Sequence, residues 1–269
     1  ILGTKYKTFG GSNFRLGNGY FVLEADEYGG AFLNHSPAHA IVLNIDREHL
    51  DFYGNLKNVE KAFLKFISQI KNGGILILNK DNKILFSLKT KIDKIVRVNC
   101  LSSVWVELGS PDAKNIKKIL KVSGLHNLSN ALMAYEFTLG LGVPKQKILS
   151  ALKKYEGIWR RMEYKGIFAG DSALVFDDYA HHPTEIAASL AGFREKYPRS
   201  PIVCVFEPHQ ASRLKKLFKK FPIAFINADA ILLLPTFVVP GRDINEKIYT
   251  SKKLVSVLTK KYPDKKIIY

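Results

Sequence analysis

At 269 residues, 46% hydrophobic and 24% charged, the chain has the make-up of one large folded domain or two ordinary ones, and disorder is excluded. No apolar run approaches the roughly 20 residues of a bilayer span, and the opening ILGTKYKTFGG does not read as a signal peptide. The formal net charge of +17, from 41 basic and 24 acidic residues, comes from lysines scattered over solvated helix faces without interleaved aromatics; it suits an anionic small substrate, and neither nucleic acid nor membrane is expected as a partner.

GYFVLEADE (residues 19–27) is an apolar run turning acidic and is expected as a strand. HAIVLNIDREHLDFYG (39–54) repeats that plan, and NLKNVEKAFLKFISQI carries Leu56, Val59, Phe63, Phe66, Ile67 and Ile70 on one helical stripe. GGILILNKD and KIVRVNC are expected as further strands. LHNLSNALMAYEFTLGLGVPKQKILSALKKYEG reads as two helices parted by GLGVP, with polar Ser129 and Asn130 inside the first. Unbroken apolar strands alternating with helices predict an α/β fold whose parallel sheet is covered on both faces.

After GIWRRMEYKG a second β/α series follows: SALVFDDYAHHPTEIAASLAGFREKYP, SPIVCVFEPHQASRLKKLFKKFP and ADAILLLPTF. A boundary near Glu156–Gly157 divides the chain into domains 1–156 and 157–269. The isolated Cys100 and Cys204 read as buried free thiols in a reducing cytoplasm, not as a disulfide or metal site.

Ligands of parallel α/β sheets bind beyond the carboxyl ends of the strands, and the polar residues collect there. Glu24, Asp26 and Glu27 follow one strand; Asp46, Glu48, His49 and Asp51 follow the next. Carboxylates of this kind suit Mg²⁺, which keeps several waters and takes substrate phosphates. Helix-terminal acids are the alternative; that is the reading adopted for Asp46 and Asp51, while Glu24 with His49 leaves both open.

His126 and Asn127 precede a helix and could be capping groups, whereas Asn130 within an apolar helix calls for a partner. In FDDYAHHPTEI, Pro183 suits the first turn of a helix, so Asp177 to His182 sit at the mouth of a strand–helix turn that favours an anion. Two adjacent histidines point apart, and at most one faces a given ligand. Arg160, Arg161, His209 and Arg213 could join them around phosphate or carboxylate oxygens. No G-x-x-x-x-G-K-[ST] motif occurs, and GGSNFRLGNG reads as a loop.

EADE, NIDREHLDFYG, GLHNLSNAL, RRMEY, DDYAHHPTEI and FEPHQASR stand in that order along the chain. In this the chain resembles the ATP-dependent muramate ligases, and among them the members that join L-alanine to UDP-N-acetylmuramate in peptidoglycan precursor synthesis. The resemblance implies a central ATPase domain over 1–156 and a Rossmann-like C-terminal domain over 157–269. It further implies that an N-terminal domain, the phosphate loop and the last C-terminal elements lie outside the chain, so the isolated piece is expected to be nearly inactive. ATP and Mg²⁺ are the implied cofactors, with Glu24 and His49 at the metal. His126, Asn127 and Asn130 fall at the adenine pocket, and Arg161 and Asp178 at the phosphates and ribose. Tyr179, His181, His209 and Arg213 face the muramoyl and amino-acid substrates; His49, Arg161 and His181 are the residues implied in catalysis. Gln210 departs from the arginine usual after that histidine. A recycling ligase that adds a tripeptide to the same sugar nucleotide, and a non-catalytic nucleotide-sugar binding module, are the other readings; a homo-oligomer is left open.

Overall fold

The computed structural model of the chain describes residues 1–168, 170, 172–239, 243 and 247–269. It divides into two compact units, Ile1–Trp159 and Arg160–Tyr269. No helix among the described residues is long and apolar enough to cross a membrane.

In the first unit the order is β1 (Ala40–Val42), α1 (Leu50–Tyr53), α2 (Leu56–Ser68), β2 (Ile75–Asn79), α3 (Lys83–Ser87), α4 (Lys89–Val98), β3 (Ser102–Val106), α5 (Pro111–Ile119), α6 (Leu125–Gly140) and α7 (Lys145–Lys154). The strands form a parallel sheet in the order β1-β2-β3, with Ile77 opposite Ile41 and Val104. Successive side chains of β2 point to opposite faces. Leu76 and Leu78 join Val59, Phe66 and Ile67 of α2 and Ile92 of α4 in one core, while Ile77 joins Ile116, Leu128, Leu132 and Ile148 in another. Helices thus cover both faces of this sheet, as its unbroken apolar strands require. Asn55 starts α2 by accepting the Asn58 N–H at 3.1 Å.

Two expected strands are absent. KIVRVNC lies in α4 and the turn after it, because Ile92, Ile95 and Val96 continue a helical period that starts at Leu88 and faces the core; the strand comes one step later, at β3. GYFVLEADE takes no place in a sheet among the described residues. Its main-chain bonds run to Ile1 instead: the terminal ammonium donates to Val22 O at 2.7 Å and the Glu24 N–H to Ile1 O at 3.0 Å. Tyr20, Phe21 and Val22 are exposed.

In the second unit β4 (Glu163–Ile167), β5 (Leu174–Asp177), α8 (Pro183–Lys196), β6 (Val203–Phe206), α9 (Ala211–Leu217), α10 (Phe221–Ala224), β7 (Ala230–Leu233), α11 (Ser251–Lys261) and β8 (Lys266–Ile268) follow. The sheet β6-β7-β8 is parallel. SALVFDD does not open a parallel series: β5 pairs antiparallel with β4, since so short a connection closes a hairpin, whereas a parallel neighbour needs a crossover of about a dozen residues. The core here gathers Ile186, Leu190, Phe206, Leu214, Phe221, Phe225, Leu233 and Leu254. Among the described residues β6 is covered on one face, because alternation turns Phe206 inward and leaves Val203 and Val205 65% and 59% exposed.

Lys265 closes this unit. Its ammonium donates to the carbonyls of Phe225 (3.3 Å), Ile226 (2.6 Å) and Ala228 (2.6 Å), and lies 4.5 Å from the Tyr262 ring centre. Burial, helped by Arg194 against Asp229, lowers its pKa. Lys265→Met is expected to cost about 2 kcal/mol, the worth of a charge-assisted hydrogen-bond set. Urea unfolding of the whole chain measures it; a loss below about 0.5 kcal/mol would mean that water replaces the ammonium without penalty.

Candidate active site

The carboxyl ends of β1, β2 and β3 are tied to one another by side chains of a single loop. Asn79, the last residue of β2, donates to Leu43 O (2.9 Å) beyond β1 and to Ser129 Oγ (3.3 Å) on α6. Asn82 Oδ1 accepts the Ile45 N–H at 3.3 Å while capping α3 through the Leu85 N–H at 2.8 Å. Asp81 accepts the Leu108 N–H at 2.7 Å beyond β3, and Lys80 pairs with Glu107 at 2.6 Å.

His49 hangs from this frame in a left-handed conformation (φ 51°, ψ 37°) just before α1. Such backbone is uncommon outside glycine and concentrates at functional sites. Its Nε2 lies 3.3 Å from Glu27 Oε1, and its ring 5.0 Å from Tyr28. Tyr53 donates its hydroxyl to the Glu27 carbonyl; burial, then the charges of Glu27 and Asp26, raise its pKa. Glu24, the residue expected beside His49, is exposed and accepts the Gly3 N–H at 2.7 Å. The histidine is therefore brought to Glu27. Asp46 accepts its neighbour's N–H at 2.7 Å, and Asp51 lies in the first turn of α1.

Among the described residues no group of three or more His, Cys, Asp or Glu is arranged to hold a metal. One carboxylate with one imidazole fits Mg²⁺, whose remaining positions go to water and phosphate oxygens. At the start of α6, Asn127 donates to Ser123 O at 2.7 Å, and His126 is half-buried. Asn130 is not the buried amide expected: it is exposed, on the side of α6 opposite the core residues Leu128, Leu132 and Tyr135.

In the second unit the turn after β5 assembles most of the expected residues. Asp178 accepts from Ala180 N–H (2.7 Å), Met162 N–H (3.0 Å) and the Ser189 hydroxyl (3.0 Å), pinning a turn in which Arg160 and Met162 have φ of 55° and 49°. The guanidinium carbons of Arg160 and Arg161 lie 4.8 and 6.0 Å from the Tyr179 ring centre. Arg160 pairs with Asp177 at 3.2 Å and Arg161 with Glu185 at 3.5 Å.

Of the two histidines, His182 is 3% exposed and caps α8, and His181 is the more open. The His181 ring is 5.1 Å from Tyr179 and 6.2 Å from His209, which in turn stacks on Phe237 at 5.1 Å and 14°. Arg213 donates to His209 O at 3.1 Å. Burial, then Arg213 and His181, lower the His209 pKa against Asp243 and Glu207, which favours the neutral imidazole.

Phe237 and Asp243 also belong to this cluster. Asp243 accepts the N–H groups of Ala211 (2.9 Å), Ser212 (3.0 Å) and Val239 (3.2 Å), and so fixes the turn in which buried Gln210 adopts φ 69°. Burial alone would raise its carboxyl; those N–H groups hold it below the usual carboxylate range. No local signal marks either residue, because both act across long stretches of chain.

A model of the Mur ligase middle domain matches residues 12–137, and one of the Mur ligase glutamate ligase domain matches residues 160–266. A UDP-N-acetylmuramate–L-alanine ligase of Desulfosudis oleivorans is 40% identical over 91% of this chain and 56% of its own length. One of Clostridium kluyveri is 38% identical over 88% of the chain and 54% of its own. The chain thus spans about half the length of the curated relatives it matches. Among solved structures, a UDP-N-acetylmuramate-alanine ligase from Thermotoga maritima covers the whole chain and 59% of that protein at 24% identity, with a TM-score of 0.71. A murein peptide ligase from Psychrobacter arcticus covers 89% of the chain and 51% of that protein at 22% identity, with a TM-score of 0.54; both likenesses speak for the fold. With both domain models in sequence along it, and relatives of this identity over nearly all of it, the chain belongs to the Mur ligase family.

Proposed function

We propose that the chain carries the nucleotide- and acceptor-binding parts of an ATP-dependent ligase that joins L-alanine to UDP-N-acetylmuramate in cytoplasmic peptidoglycan precursor synthesis. The observation that carries this reading is the gathering of Arg160, Arg161, Tyr179 and His181 with His209 around one turn, in a chain whose 40%-identical relative is named for that activity. On this reading residues 1–156 are the central ATP-binding domain and residues 157–269 the C-terminal ligase domain.

The muramoyl carboxylate takes the γ-phosphoryl group of ATP and becomes an acyl phosphate. The alanine amine attacks that carbonyl, and phosphate leaves from the tetrahedral intermediate. Mg²⁺, when bound, supplies charge neutralisation at the transferring phosphoryl group; His49 with Glu27 or Glu24 would hold it. His126, Asn127 and Asn130 border the adenine, Asp178 the ribose and Arg161 the phosphates. Tyr179, His181, His209 and Arg213 face the muramoyl and amino-acid groups. The guanidinium groups act by standing in place where negative charge develops, an electrostatic task.

Gln210 removes a charge-assisted contact where arginine is usual, and the FEPH run leans toward a second reading, the ligase that attaches a tripeptide to the same sugar nucleotide. Phosphate release by the full-length gene product tests both. Release that requires UDP-N-acetylmuramate and L-alanine together is expected, with kcat/KM about 100-fold lower in Arg161→Ala. Release with the tripeptide and none with L-alanine selects the second reading; none with either sinks both.

A further inference from the structure

The adjacent histidines of the turn before α8 are held in opposite tautomers. His182 Nδ1 accepts the Thr184 N–H at 3.2 Å, so that nitrogen carries the lone pair and the proton sits on Nε2. His181 Nδ1 lies 2.9 Å from the Tyr179 carbonyl oxygen, which can only accept, so here the proton sits on Nδ1.

The Glu185 carboxylate stands behind the same His181 nitrogen, 3.6 Å away. Its Oε2 accepts the backbone N–H groups of His181 (3.1 Å) and His182 (3.2 Å), and its Oε1 faces Arg161 Nη1 at 3.5 Å. Burial alone would push this carboxyl up. The His181 ring, the His181 N–H, Arg161 and the His182 N–H outweigh burial and hold it below the usual carboxylate range. One ionised group therefore touches two residues that the proposed function sets against the ligand.

We propose that Glu185 is a positioning residue: with the Tyr179 carbonyl it fixes His181 as the Nδ1–H tautomer, so that the Nε2 lone pair is the acceptor offered to an N–H of the ligand, and it holds Arg161 beside it. A carboxylate or carbonyl bonded to one imidazole nitrogen decides which nitrogen remains available. The proposal rests on the reading that His181 faces the acceptor substrate.

Imidazole NMR of the isotope-labelled chain at mildly alkaline pH reads both tautomers directly. His181 is expected as Nδ1–H and His182 as Nε2–H. Glu185→Gln keeps one acceptor oxygen at the third helical position, so the capping box survives, but it removes the negative charge that stands beside His181 Nδ1. The Nε2–H fraction of His181 is then expected to rise severalfold while His182 stays as it was, a change that a capping role alone would not produce. His181 found as Nε2–H in the unaltered chain, or an unchanged His181 in Glu185→Gln, overturns the proposal; the first result does not depend on whether the variant folds. Adding UDP-N-acetylmuramate to the full-length gene product examines the underlying reading separately. Displaced His181 ring signals support it, and unmoved ones overturn the substrate-facing placement whatever the tautomer.

Discussion

Asp178→Ala is expected to destabilise the unit 160–269 by about 3 kcal/mol and to lower its unfolding midpoint by about 12 °C. Three donors converge on this carboxylate: the N–H of Met162, the N–H of Ala180 and the hydroxyl of Ser189. Truncation leaves them unpaired in a half-buried place, and such a loss exceeds the worth of a single bond without being the sum of three. The turn at Met162, with φ 49°, also loses its anchor, and a positive φ at a non-glycine residue persists only when its surroundings hold it. Asp178→Asn, which keeps one acceptor oxygen, is expected to fall about midway. Scanning calorimetry of the whole chain decides it; an Asp178→Ala midpoint within about 2 °C of the parent would show that the three segments hold together without the carboxylate.

Gly74→Ala is expected to cost the unit 1–159 about 3 kcal/mol, at the upper end for one added methyl group. A Cβ at this position would stand 2.1 Å from the Ala38 carbonyl oxygen, 2.8 Å from Ile70 Cγ2 and 2.9 Å from Lys71 O. Two of these atoms are backbone and have little room to move. The Gly74 carbonyl also accepts the Ser102 N–H at 2.9 Å, so any shift reaches the pairing of β2 with β3. Gly73 is the comparison: nothing lies within 4 Å of its Cβ position, but its φ is +76°. Gly73→Ala should therefore cost only about 1 kcal/mol. Urea midpoints for the two variants measure the difference, and equal losses would refute the steric account.

The β/α alternation was legible because apolar runs and the α2 stripe are local patterns, and so was the collection of polar residues at strand ends. KIVRVNC misled because its window began partway through the period that Leu88 and Ile92 open. The partner of His49 depends on the left-handed backbone at His49 and on the short helical turn Tyr28–Asn34, neither of which periodicity encodes, so the sequence does not single out Glu27 from Glu24. Asn130 reads as buried in the sequence because α6 is apolar around much of its circumference and its solvent side is narrow. Glu185 left a usable trace: Pro183 at the first helical position puts a capping-box acid at the third. Its second task, behind His181, needed the fold.

Asn79, Asp81 and Asn82 direct their side chains to Leu43, Leu108 and Ile45 and so hold the mouths of β1, β2 and β3 at one setting. Immobilising a backbone residue costs about 1–2 kcal/mol, and in this loop cluster that loss is incurred during folding. A ligand docking there meets a preorganised surface, and more of its contact energy is retained as affinity.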